Sequence, residues 1–246
     1  MKINILTLFP EMFTAITKSS ILGKANEKGI LQINLVNIRD FSQDKHNKAD
    51  DYPFGGGIGM VMQAEPIFGA INSIKNRKGP SIYMSPRGEI LNQTLIETFA
   101  QEEEITILCG HYEGVDQRVL EHFNMKEVSI GDYILTGGEL AAMVLVDSVS
   151  RLVPNVLGRN ESALEESIYS GLLEYPQYTK PREFQGYHVP EVLVSGNHKL
   201  IHLWKYEQSL LITKKIRPDL FQKYVESLKT LTKDERIILQ KIMEKE

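Results

Sequence analysis

Residues 105–114 read Ile105-Thr106-Ile107-Leu108-Cys109-Gly110-His111-Tyr112-Glu113-Gly114, a β-branched apolar run that stops at a glycine-bearing loop. A run of this length bounded by glycine predicts a buried strand ending in a turn. Ser81–Ser85, followed by Pro86-Arg87-Gly88, repeats the form, and Lys2–Leu8 and Leu31–Val36 are two further runs of the kind. Stretches of helical period lie between and after them: Ala64–Asn76 with Pro66 near its start, a segment opened by Asn92 as a candidate N-cap, and the apolar-faced Gly138–Val153. Strands alternating with helices give an α/β fold with a mostly parallel sheet. Ligands of open sheets of this class bind beyond the carboxyl ends of the strands. Three glycine-bearing segments are placed to converge there: Ser85–Gly88, Cys109–Gly114 and Ser129–Glu139. Each alone is an ordinary turn; together they predict one pocket.

The chain of 246 residues has room for one large domain or two smaller ones, and its 42% apolar and 24% charged residues are those of a globular protein. Its longest clean apolar run, Leu140–Val146, is closed by Glu139 and Asp147, far short of the ~18 residues of a membrane span. The N-terminal apolar stretch ends at Pro10-Glu11 without a small-residue cleavage site, and Cys109 is the single cysteine. A reducing cytoplasm is the expected compartment.

Charge is unevenly distributed. Residues 180–246 carry 13 Lys/Arg against 9 Asp/Glu, a formal +4, within a chain whose net charge is −4. Asn197–Arg217 holds Lys199, Lys205, Lys214, Lys215 and Arg217 against Glu207 alone. The pattern predicts two modules, the second able to face a polyanion, with a solvated helix face as the alternative. The texture also changes after Gly158, where a polar stretch is followed by a Pro- and Tyr-rich connection from Tyr175 to Pro190. From Gly196 onward the chain reads as helical, and Thr232 and Glu235 have the spacing of a capping box.

Other chemistry-bearing patterns are incomplete. Gly55-Gly56-Gly57-Ile58-Gly59 completes neither dinucleotide nor P-loop spacing, so a tight loop packed in the core or against a subunit stands beside a weakly supported nucleotide-phosphate role. His198 and His202 stand four residues apart, but Lys199, Leu200 and Ile201 between them supply no zinc-protease glutamate, so no metal site is expected there. Asp44, His46, Asp50 and Asp51 share a polar loop that reads as solvated or nucleotide-contacting rather than cation-binding.

Leu8-Phe9-Pro10-Glu11-Met12-Phe13, the run from Ile38-Arg39-Asp40-Phe41 through Asp44-Lys45-His46 to Asp50-Asp51 and Gly55-Gly56-Gly57, the three loops above, and Gly171-Leu172-Leu173-Glu174-Tyr175-Pro176-Gln177-Tyr178-Thr179 occur in order along nearly the whole chain. Together they resemble the bacterial tRNA (guanine-N1)-methyltransferases that modify guanosine 37, beside the anticodon. The resemblance implies a SPOUT methyltransferase: an α/β parallel sheet with a deep trefoil knot (residues 1–158), a flexible linker (159–175) and a small all-helical tRNA-binding domain (176–246). It also implies a homodimer with shared active sites, S-adenosylmethionine as methyl donor, tRNA with guanosine at position 37 as partner, and assistance by magnesium. The cofactor-binding positions carried over are Ser85, Pro86 and Arg87; Gly110, Tyr112 and Glu113; and Ile130, Gly131, Tyr133, Leu135, Gly137 and Gly138.

The chemistry explains what else such a site needs. N1 of guanine carries a proton, so attack on a methyl sulfonium requires a carboxylate base and a donor for the charge that develops on O6. The family's arginine falls on Arg151 and its catalytic aspartate on Glu166, with Glu165 as the alternative register. The family often has arginine where His111 stands, so no role is carried over to that side chain. Two other readings remain at this point: a knotted methyltransferase for another RNA site, and a catalytically silent RNA-binding relative in which Glu166 marks lost activity.

Overall fold

The computed structural model describes residues 1–157, 171–227 and 231–244. It divides into two compact units, Met1–Asn160 and Glu161–Glu246.

In the first unit the strands are β1 (Lys2–Thr7), β2 (Gln32–Asn37), β3 (Asp50–Asp51), β4 (Val61–Met62), β5 (Ser81–Ile90), β6 (Glu104–Cys109) and β7 (Lys126–Ser129). The α-helices are α1 (Thr14–Lys18), α2 (Ser20–Glu27), α3 (Ala64–Asn72), α4 (Gln93–Ala100), α5 (Gln117–His122) and α6 (Glu139–Ser150). Five strands form one sheet in the order β2-β1-β6-β5-β7, every neighbouring pair parallel. β3 and β4 make a separate antiparallel pair.

Strand alternation divides the core into two layers. Ile3, Ile5, Ile105, Ile107 and Cys109 pack on one face with Leu95 and Phe99 of α4 and Leu145 and Val149 of α6. Leu6, Tyr83 and Leu108 pack on the other with Ile67 and Ile71 of α3 and Val119 and Leu120 of α5. A parallel sheet covered on both faces explains why these strands read as continuous apolar runs. Asn92 caps α4 as expected, its side-chain oxygen accepting the Leu95 N–H at 3.0 Å.

The main departure from expectation is β5. It runs on to Ile90, beyond the expected end at Ser85, because Met84 and Glu89 both register with Val128 of β7. Ser85–Gly88 therefore leave the sheet as an excursion inside one strand. Glycine is required at its return: a Cβ on Gly88 would stand 2.3 Å from the Glu127 carbonyl carbon and the Val128 nitrogen.

The second unit is helical, with helices Glu191–Val194, His198–Ile216, Pro218–Glu226 and Lys233–Glu244. It is not all-helical as expected. β8 (Glu183–Phe184) and β9 (Tyr187–His188) form a hairpin, closed by Gln185 and Gly186 at φ 53° and 82°. Two consecutive positive φ values give the turn whose twist suits a two-residue hairpin. The core of this unit is Leu172, Leu210, Phe221, Leu239 and Ile242. Leu172 stood in the expected linker, and beside it the Leu173 N–H donates to the Thr213 hydroxyl at 2.8 Å. The capping box forms: the Glu235 carboxylate accepts the Thr232 N–H at 2.8 Å, and the Thr232 hydroxyl accepts the Glu235 N–H at 3.3 Å. Among the described residues no helix is long and apolar enough to cross a membrane.

Candidate active site

The Ser85–Gly88 excursion of β5 lies beside the loops that β6 and β7 release at their carboxyl ends, and these three loops surround one cavity of 260 Å³. Ser85 and Pro86 come from the first; Gly110, Tyr112 and Glu113 from the second; Ile130, Gly131, Tyr133, Leu135, Gly137 and Gly138 from the third. The sequence thus brings eleven of its twelve carried-over positions to one place. Arg87 is the exception. Its guanidinium turns away to Glu127, with Nε 3.2 Å and Nη2 3.1 Å from the two carboxylate oxygens.

Close backbone approach builds the cavity, and glycine permits it. The Gly138 N–H donates to the Gly110 carbonyl at 2.8 Å, and a Cβ on Gly138 would stand 2.9 Å from Cys109 Cα and Gly110 N. A Cβ on Gly110 would meet the Tyr83 ring at 2.8 Å. Val128, Ile130, Leu135 and Ala141 give the cavity an apolar wall, against which peptide groups of the glycines supply a polar edge. That combination suits a flat heteroaromatic ring with a hydrogen-bonding rim.

Four lining residues lie outside the three segments marked in the sequence: Tyr83, Met84, Val128 and Ala141. Tyr83 and Met84 precede the first loop, and only knowledge of the excursion in β5 would have marked them. Behind the wall lies Glu139, 1% exposed, which accepts the Thr7 hydroxyl at 2.7 Å and sits 2.9 Å from His111 Nε2. Burial, and then the Glu139 charge, hold the Cys109 thiol well above its ordinary range, so it is an inert thiol in the core.

Arg151 caps the far end of α6, half-buried, its N–H donating to the Asp147 carbonyl at 3.1 Å. At 1.5 Å per residue it stands ~18 Å along the axis from the helix start beside the cavity, and it is not among the residues lining that cavity. Glu165 and Glu166 lie outside the described residues. No group of three or more His, Cys, Asp or Glu side chains suited to a metal occurs among the described residues. In the acidic loop, Asp44 accepts the His46 N–H at 2.7 Å and Asp51 the Tyr52 N–H at 2.8 Å, so these carboxylates brace their own loop. Gly59 ends the glycine cluster against Glu113, whose Cγ would stand 2.5 Å from a Cβ there.

A model of the tRNA (Guanine-1)-methyltransferase TrmD family matches residues 1–223. The chain belongs to the TrmD family. The tRNA (guanine-N(1)-)-methyltransferase of Clostridium perfringens (strain ATCC 13124) is 57% identical over 224 residues, which cover 91% of this chain and 94% of that one. Enzymes of the same name from Clostridium botulinum (strain Kyoto) and Clostridium tetani are 55% and 52% identical, each match covering 97% of both chains. Membership accounts for the lack of a dinucleotide-type glycine fingerprint, since the TrmD-family glycines here serve contact between loops.

In the second unit of this TrmD-family chain the basic stretch is partly neutralised. Lys199 pairs with Asp234 at 2.7 Å, Arg217 with Asp219 at 2.7 Å, and the Lys214 ammonium donates to the Ile242 carbonyl at 2.8 Å. Lys205 lies 4.5 Å over the Tyr175 ring, while Lys215 is exposed. Tyr175 and Tyr178 flank Trp204 at 6.5 and 6.4 Å between ring centroids, so these aromatics pack on one another.

Proposed function

We propose that this chain transfers the methyl group of S-adenosylmethionine to N1 of guanosine 37 in tRNA. The observation that carries the reading is the meeting of three glycine loops at one cavity in a chain that belongs to the TrmD family. Bound there, S-adenosylmethionine supplies a methyl group on an electrophilic sulfonium. The apolar wall and the glycine peptide groups hold the donor and exclude water from it. Glu166 takes the N1 proton, and the Arg151 guanidinium stabilises the charge arriving on O6.

Arg151 is too far along α6 to serve the cavity at that helix's own start, which supports a homodimer in which each copy completes its partner's site. Leu140 and Val144, one turn apart on α6 and both exposed, offer an apolar stripe for a second copy. The trefoil knot is part of the same reading. It is supported by the path of residues 130–138, which run in beside the 110–114 loop and bond to it at Gly110. The C-terminal unit grips the anticodon arm, and the cytoplasm is the compartment. No step is assigned to magnesium.

The test is methyl transfer to unmodified tRNA bearing guanosine 37, against the same tRNA substituted at that position. Transfer to the first alone supports the reading; equal transfer to both, or to neither, refutes it. Glu166→Gln, which keeps shape and loses basicity, is expected to lower turnover by ~100-fold or more while donor binding persists. Inactivity of Glu165→Gln instead would move the role to the neighbour.

A further inference from the structure

Glu139 opens α6, and its Oε1 accepts the Thr7 hydroxyl at 2.7 Å. Its other oxygen, Oε2, lies 2.9 Å from His111 Nε2, and in the Nε2–H tautomer the imidazole donates this bond to the carboxylate. This bond joins the two sides of the cavity. His111 belongs to the loop after β6, and Glu139 stands where the 130–138 segment becomes α6. Around it there is no slack. A Cβ on Gly137 would lie 2.2 Å from His111 Nε2 and 2.6 Å from Glu139 Oε2. The imidazole leans on the Phe9 ring at a 4.9 Å centroid distance, while the His111 N–H points to the Met62 sulfur at 3.2 Å. The His111 side chain is 18% exposed and lines the cavity; Glu139 is sealed behind it.

We propose that His111 is a positioning residue for S-adenosylmethionine: its bond to Glu139 latches the 110–114 loop to the 130–138 segment and so fixes the shape of the cavity. The inference rests on the reading of that cavity as the donor site. Without the imidazole, Glu139 keeps the Thr7 hydroxyl and loses its other donor, and an under-bonded buried carboxylate draws water. The two segments part to admit it, and apparent donor affinity falls by the fraction of molecules left latched.

The experiment measures S-adenosylmethionine binding by titration calorimetry, together with steady-state kinetics, for the full-length wild type, His111→Ala and His111→Gln. In His111→Ala the donor Kd and KM are expected to rise together by about 10- to 100-fold. The kcat at saturating donor and the KM for tRNA stay near wild type, because the latch acts before the transition state. His111→Gln places an N–H near the Nε2 position without the ring and recovers most of the affinity. Should His111→Ala not fold, His111→Leu fills the space against Phe9 without donating and is expected to show the same rise. Wild-type affinity in the non-donating variant overturns the latch, as does an equal loss in His111→Gln. A wild-type protein that binds no S-adenosylmethionine overturns the reading of the cavity itself, and calorimetry on the wild type separates that case from the others.

Discussion

Gly138→Ala is the sharpest test of how the cavity is built. Gly138 has φ −79° and ψ −8°, angles that alanine adopts freely, so the substitution adds contact without backbone strain. The new methyl would stand 2.9 Å from Cys109 Cα and from Gly110 N, both main-chain atoms that no rotamer change can move. Carbon pairs rest at ~3.5–4.0 Å, so α6 must retreat from the end of β6 by about 0.6–1 Å. That stretches the 2.8 Å bond from Gly138 N–H to the Gly110 carbonyl. Overpacking costs ~1–3 kcal/mol and the weakened bond ~1 kcal/mol, together about 2–4 kcal/mol. For a chain of this length each kcal/mol lowers Tm by ~2–4 °C, so a fall of about 4–16 °C is expected in scanning calorimetry. The retreat also displaces the third loop, and calorimetric titration should show donor affinity reduced at least ~10-fold. Gly29→Ala is the control, with φ +70° and nothing within 4 Å of its Cβ. It should cost ~1–2 kcal/mol through backbone strain and leave donor affinity intact. A Gly138→Ala protein that melts and binds like wild type would refute the close-approach argument.

Three further outcomes are expected. Arg151→Ala should lower kcat about 100-fold with little change in tRNA affinity, and at low donor concentration its coexpression with Gly138→Ala should give activity above that of either variant homodimer; absence of such complementation counts against a shared site. Glu104 is pushed up by burial, but bonds from Lys2, Asn4 and the Lys78 N–H outweigh that and hold its carboxyl below the ordinary 4.5. Its contribution to stability is therefore complete above about pH 4.5 and lost as pH falls through the lowered value, so Glu104→Gln should flatten the acid limb of a plot of Tm against pH. In the second unit Lys215→Gln should reduce the slope of log affinity for tRNA against log salt by ~0.7–0.9, whereas Arg217→Gln should change it less because Asp219 already holds that guanidinium.

The buried strands were legible because a sheet covered on both faces demands unbroken apolar runs, and β1, β2 and β6 fall within a residue of their expected limits. β7 was not, since Lys126-Glu127-Val128-Ser129 offers one β-branched residue at an edge position where charges are tolerated. The convergence of the three loops followed from the rule for parallel sheets. The departure of Arg87 did not, because its partner Glu127 lies 40 residues away and only the register of β5 on β7 brings them together. The C-terminal cations failed in the same way: a count of charges sees Lys199 and Arg217, but not Asp234 and Asp219 beside them. His111 and Glu139 were both visible within their motifs, and no spacing rule connects residues 28 apart.

The excursion in β5 also bears on how this site can change over generations. Because Met84 and Glu89 both answer to Val128, the residues between them are counted by no ladder. A strand normally forbids odd insertions, since each one turns every later side chain to the opposite face. Here the chain has a place where length is free. Residues can be gained or lost between Ser85 and Arg87 without disturbing the pairing on either side, provided Gly88 keeps its seat against Glu127 and Val128. One wall of the cavity can thus be resized while the sheet that carries it is inherited unaltered.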